Sequence, residues 1–140
     1  MSKQYLHTLL IRTYGAHKKK SRQGFQKFEL SDGQPKILSI LKDMEGCSQK
    51  ELAEACRVEP ATMTSLLKNM EQKGLIRKEA IQVAGQRAYS VYLTELGRKR
   101  SGEVMDIVDE LEMISFQGFT NEEKEQFFGL LSRIYHNLDK

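Results

Sequence analysis

The sequence predicts a mainly α-helical protein with one small β-hairpin, and three observations carry that prediction. Apolar residues recur at helical spacing through most of the chain, as in Met63, Leu66, Leu67 and Met70. Three Ser/Thr residues each stand three positions before a Glu or Gln, the spacing of a capping box (Ser31/Gln34, Ser48/Glu51, Thr120/Glu123). One stretch breaks the helical period: in "RAYSVYL", Ala88, Ser90 and Tyr92 alternate with Tyr89, Val91 and Leu93, the period of two of a strand.

A first helix is expected over about residues 3 to 22, with Leu6, Leu9, Leu10, Thr13, Tyr14 and His17 on one side. The second opens at "LSDGQPK", with Pro35 tolerated in the first turn, and continues through Ile37, Leu38, Leu41 and Met44. A short third helix follows Ser48 and places Leu52, Ala53 and Cys56 on its apolar side. Pro60 suits the first position of a fourth helix, and Gly74 is placed to end it in a left-handed conformation. "LIRKEAI" and "RAYSVYL" then read as two strands joined by "QVAGQ". Thr94 can cap a long fifth helix carrying Val104, Ile107, Val108, Leu111 and Ile114. The sixth is expected to bury Phe127, Phe128, Leu131, Ile134, Tyr135 and Leu138.

Helix, short helix, the tight turn "RVEP", helix and hairpin is the order of a winged helix-turn-helix. The fourth helix supports it chemically. Opposite its apolar face lie Thr64, Ser65, Lys68 and Asn69, most of them short hydrogen-bonding side chains where an ordinary solvated face would usually carry long Glu and Lys. Such side chains read base edges and bind phosphate without filling the groove. The competing reading is a plain helix surface; the capped helix before it and the hairpin after it favour DNA.

Charge is distributed in the same sense. The net charge is +3, yet residues 1–100 hold 19 Lys+Arg against 10 Asp+Glu, and residues 101–140 hold 3 against 9. A basic body suits a polyanion partner. No apolar run approaches the ~20 residues of a membrane span, and the N-terminal residues do not read as a secretory signal, so a cytoplasmic protein is expected. Cys47 and Cys56 form no CxxC, and no metal site or cofactor is expected. Cys56 reads as core; Cys47, just before a helix N-terminus where the dipole lowers a thiol pKa, is the better redox candidate, although no redox control is expected. His7, His17 and His136 read as dimer-face or solvated residues, and neither a nucleophile motif nor a phosphate-cradling glycine loop is present, so no enzyme is expected.

Over nearly its whole length the chain resembles the MarR family of bacterial winged-helix transcriptional regulators. The residues that carry the resemblance are "LSDGQPKILSIL", "CSQKELAEACRVEPATMTSLLKNMEQKGLIRK" and "YSVYLTELG". It implies a homodimer whose first, fifth and sixth helices interlock, dividing the chain into a dimerisation region (1–29 and 94–140) and a winged DNA-binding domain (30–93). It implies a repressor bound to an inverted repeat in double-stranded DNA and open to release by a small aromatic or anionic effector. A winged-helix protein-interaction module without DNA binding is the alternative. Pro60 and Ala61 would set the entry of the reading helix, with Thr62, Thr64, Ser65 and Lys68 facing the groove and Arg87 at the wing. An effector would be lined by Tyr14, His17 and Met44. Three departures stand out: Gly85-Gln86-Arg87 where the family has Asp-x-Arg, Ser65 and Asn69 where relatives carry arginines, and Arg57 where glycine is common. An arginine in a left-handed position is uncommon, so either the turn differs or Arg57 contacts phosphate.

Overall fold

The computed structural model describes residues 3–140; residues 1 and 2 of the expected N-terminal region lie outside the described residues. The elements run α1 (Leu6–Phe25), a 3-10 turn (Gln26–Phe28), α2 (Gln34–Leu41), α3 (Gln49–Cys56), α4 (Pro60–Gln72), β1 (Ile76–Val83), β2 (Gln86–Leu93), α5 (Glu95–Ser115) and α6 (Asn121–Leu138). Mainly α with a hairpin wing is therefore the observed class. Two compact units are distinguished, one ending at Val108 and the other spanning Asp109–Lys140.

The core of the first unit explains why its short helices are stable at all. Helices of 8 residues such as α2 and α3 would not persist alone. Here Ile37, Leu38 and Leu41 of α2, Leu52 and Cys56 of α3, and Met63, Leu67 and Met70 of α4 bury against one another. Leu75, Ile76, Val91 and Leu93 at the base of the hairpin and Val104 of α5 close the cluster.

Capping follows the sequence at α3 and α6, where both halves of each box form (Ser48/Glu51 and Thr120/Glu123). At α2 it does not. The residue preceding the helix is Gly33 at φ 92°, and no side chain caps it. Only the reverse half survives: Gln34 accepts the Ser31 N–H at 3.1 Å. The helix also ends at Leu41, one turn earlier than the apolar spacing suggested, and Met44 falls in the following turn. Thr94 caps α5 as expected, its Oγ1 accepting the Gly97 N–H at 3.0 Å.

The wing is longer than expected. β1 and β2 pair antiparallel from Ile76↔Leu93 to Val83↔Gln86, so the tip is only Ala84 and Gly85. Both have positive φ, 51° and 79°. This is the mirror-image two-residue turn whose twist matches that of the strands. On the other side, Val91 exchanges hydrogen bonds with Gly46 and Cys47 (2.8 and 3.0 Å), tying β2 to the segment before α3.

The sixth helix departs from the burial expected of it, and the first leaves its apolar side open. Phe127, Phe128, Leu131, Tyr135 and Leu138 of α6 are exposed in the single chain, and Ile134 is half-buried. Leu6, Leu9, Leu10, Ile11 and Tyr14 of α1 are exposed as well. Their helical periodicity is real, but one chain supplies nothing to cover them. Within the second unit the phenyl rings of Phe116, Phe119, Phe127 and Phe128 still cluster at centroid separations of 5.2–5.9 Å.

Candidate nucleic-acid interface

α4 has two faces of opposite chemistry. Met63, Leu67 and Met70 are fully buried, whereas Pro60, Ala61, Thr62, Thr64, Ser65 and Lys68 are all exposed. Glu59 precedes the helix in an extended conformation and Pro60 occupies its first turn, so the chain enters α4 at a fixed angle. The turn from α3 consists of Arg57, Val58 and Glu59. Arg57 holds the left-handed conformation at φ 55°, ψ 47°, so an arginine bears the strain of that position.

Hydrogen bonds sort the polar side chains of α4 more finely than the sequence could. Thr64 Oγ1 donates to the Pro60 carbonyl at 3.0 Å and accepts from Gln49 Nε2 at 2.7 Å. Ser65 bonds back to the Ala61 carbonyl at a looser 3.3 Å. Asn69 is exposed as well, but its Oδ1 accepts from Gln34 Nε2 at 2.7 Å, so that oxygen is engaged with α2. The sequence marks Gln34 only as a capping partner of Ser31 and does not mark Gln49 at all. Their signal, a glutamine at the start of each of two successive helices, is too weak to read without the contacts.

On the wing, Arg87 is exposed and stands over the Tyr89 ring at 5.7 Å. Lys78 approaches the other strand's Tyr89 at 5.7 Å, and Arg77 lies over Tyr92 at 4.3 Å, giving the hairpin a cationic surface laid on aromatic rings. The base of the wing is fixed by Glu45, which accepts the Leu93 N–H at 2.8 Å and pairs with Arg98 at 3.1 Å.

Of the three residues expected to line an effector site, Tyr14 and His17 are exposed on α1, and Met44 is half-buried in the turn after α2. An open cleft on α1 is lined by Gly15, Lys18, Lys19, Arg22, Gln23 and Gln26. One thiol differs from expectation. Burial, with the Glu51 carboxylate adding to it, pushes the Cys47 thiol up, the direction opposite to that expected from its place before a helix. Burial likewise raises Cys56, which is in the core. Among the described residues no cluster of His, Cys, Asp and Glu could hold a metal ion, and no helix is long and apolar enough to cross a membrane.

A buried-backed helix with an open polar face, a tight turn to a capped helix and a hairpin behind it define a winged helix-turn-helix protein. Residues 30–82 match the model of the MarR family. The chain is 28% identical over 120 residues to the HTH-type transcriptional regulator MgrA of Staphylococcus aureus, covering 86% of this chain and 80% of that one. It is also 28% identical over 116 residues to the uncharacterized HTH-type transcriptional regulator YybA of Bacillus subtilis (83% and 77% covered). Among solved structures, a MarR-family regulator from Silicibacter pomeroyi superposes with a TM-score of 0.84 at 28% identity, covering 95% of this chain and 89% of that one. S. aureus MepR in its DNA-binding conformation gives 0.81 at 26% (96% and 99%). The family match over residues 30–82, the relatives and the solved structures agree: what this chain is similar to is the MarR group of winged-helix, DNA-binding transcriptional regulators. The relatives it matches are transcriptional regulators rather than enzymes.

Proposed function

We propose that the protein is a non-enzymatic, cytoplasmic repressor that binds an inverted repeat as a homodimer, with α4 of each copy in the major groove and the wing along the adjacent minor groove. The observation that carries the reading is the face of α4 formed by Ala61, Thr62, Ser65 and Lys68, exposed and free of acidic or bulky side chains while the opposite face is fully buried. A helix of this kind can descend into a groove about 12 Å wide until its backbone nears the base edges. Lys68 supplies charge to phosphate or a guanine edge, and Ser65 is the short-range reader. Thr64, whose hydroxyl is engaged within the protein, has the smaller share.

The homodimer is supported by the exposed apolar residues of α1 and of α6, such as Leu9, Ile11, Phe127 and Leu130, which a second copy would take out of water. A two-fold dimer matches a palindromic site. The interaction-module alternative would be favoured by an acidic or broadly apolar α4 face, and this face is neither. Release by a small aromatic or anionic effector belongs to the same proposal, with Tyr14, His17 and Met44 as its candidate residues and reciprocal weakening of DNA binding as its signature.

The test is Ser65→Glu. A carboxylate on the open face meets phosphate and base acceptors at short range, and binding to a duplex enriched from a random-sequence library by the unmodified protein should be lost. The far-UV spectrum and the oligomeric state should not change. Unaltered DNA affinity would remove α4 from the interface.

A further inference from the structure

We propose that Gln34 and Gln49 are positioning residues that grip α4 from opposite flanks and set which of its side chains face a DNA groove. The inference rests on the reading of α4 as the groove-entering helix. Met63, Leu67 and Met70 hold that helix by apolar burial alone. Apolar contact is non-directional, and it resists lifting the helix far more than rolling it about its own axis. Two directional contacts restrain the roll. Gln49 at the start of α3 donates from Nε2 to Thr64 Oγ1 at 2.7 Å, and Gln34 at the start of α2 donates from Nε2 to Asn69 Oδ1 at 2.7 Å.

At about 100° per residue, Thr64 and Asn69 lie about 140° apart around the helix, with Ser65 and Lys68 on the outward arc between them. A roll of about 20° would carry a side-chain tip some 5–6 Å from the axis through about 2 Å. That displacement exceeds the tolerance of a hydrogen bond, so neither contact survives it. Each glutamine is itself rooted. Gln34 is only 1% exposed, and its Oε1 accepts the Ser31 N–H at 3.1 Å and faces Lys73 Nζ at 3.5 Å. Lys73 in turn donates to the Glu29 carbonyl at 2.9 Å. Gln49 sits directly behind Ser48, whose capping box with Glu51 fixes the first turn of α3. The recognition surface is thus read out through two amides that need touch no base.

The experiment uses the full chain and two duplexes: one enriched from a random-sequence library by the unmodified protein, and a shuffled control of the same composition. The expected result is that Gln34→Met and Gln49→Met each reduce the ratio of affinities for the two duplexes about tenfold, the usual worth of a lost hydrogen bond. Affinity for the shuffled duplex and the salt slope should not move, because phosphate contacts persist. Gln34→Met combined with Asn69→Ala, and Gln49→Met combined with Thr64→Val, should be no worse than the respective glutamine variant alone, since each pair acts through one bond. Asn69→Asp, which keeps the acceptor for Gln34, should retain the ratio. Unchanged ratios in both glutamine variants, or losses that multiply within a pair, would overturn the proposal. Loss of the affinity ratio in Asn69→Asp, beyond any equal weakening on both duplexes, would make Asn69 a direct reader and refute its role as a brace. If the unmodified protein enriches no sequence, the DNA reading fails first and the positioning role with it.

Discussion

Gly97→Ala is expected to destabilise the protein strongly, although it replaces glycine with a better helix former. Gly97 lies in the first turn of α5, where a Cβ would stand 1.9 Å from the Leu75 carbonyl oxygen and 3.2 Å from Leu93 Cδ2. Real Cβ contacts do not fall below 3.0 Å, so one of the two backbones must move by about 1 Å. Leu75 cannot yield cheaply: it is 3% exposed, its N–H bonds to Met70, and its carbonyl already accepts the Thr94 N–H at 3.1 Å. Moving α5 instead pulls the Gly97 N–H from its cap on Thr94. Overpacking costs about 1–3 kcal/mol, a lost hydrogen bond about 1 and a lost cap about 1. Helix propensity returns about 1 kcal/mol. The net loss is about 2–4 kcal/mol, which for a chain of this length lowers Tm on the order of 10 °C. Gly102→Ala on the same helix is the control, because nothing lies within 4 Å of its added methyl group. It should raise stability by up to about 1 kcal/mol. Thermal melts by circular dichroism at equal protein concentration decide the matter. Equal Tm values for the Gly97→Ala variant and the unmodified protein would refute the close approach of α5 to the strand base.

Arg87→Ala should weaken binding to the enriched duplex by about 1–3 kcal/mol and lower the salt slope by about one, measured across a salt series; no change in either would make Arg87 a solvated hairpin charge. Gly85→Asp restores an acidic neighbour at the tip, and the space there is open, but φ is 79°, so any gain in binding should come with a small loss in Tm. Peroxide at neutral pH should leave DNA binding intact, because both thiols are held above their ordinary range by burial; loss of binding that disappears in Cys47→Ser would contradict this. The Glu51 carboxyl is held below its ordinary range by hydrogen bonds from Ser48. Its contribution is therefore present above the unfolded carboxylate pKa and lost as pH falls through the lowered folded value. An acid titration of stability should show this component in the unmodified protein and not in Glu51→Gln, which cannot ionise.

Features settled within a few residues along the chain are legible without the fold. Ser48 and Glu51 are three apart, as are Thr120 and Glu123, and both boxes form as their spacing dictates. The apolar face of α4, the start of that helix at Pro60 and its end at Gly74 follow from helical period and backbone preference in the same local way. Tertiary structure decided which polar residues of α4 are engaged within the protein. Gln34 and Asn69 are 35 residues apart and Gln49 and Thr64 are 15 apart, so whether each amide finds its partner depends on how α2 and α3 pack on α4. The same distinction explains the misses. Ser31 has the capping spacing, but the left-handed Gly33 takes the cap position, and the buried Gln34 reaches both back to Ser31 and across to α4. Cys47 has the sequence position of an activated thiol, yet its pKa is set by how much protein surrounds it. Periodicity marks the apolar residues of α6 correctly, but it cannot say whether their own chain covers them; here most remain exposed, because burial depends on which surfaces meet and not on spacing along one helix.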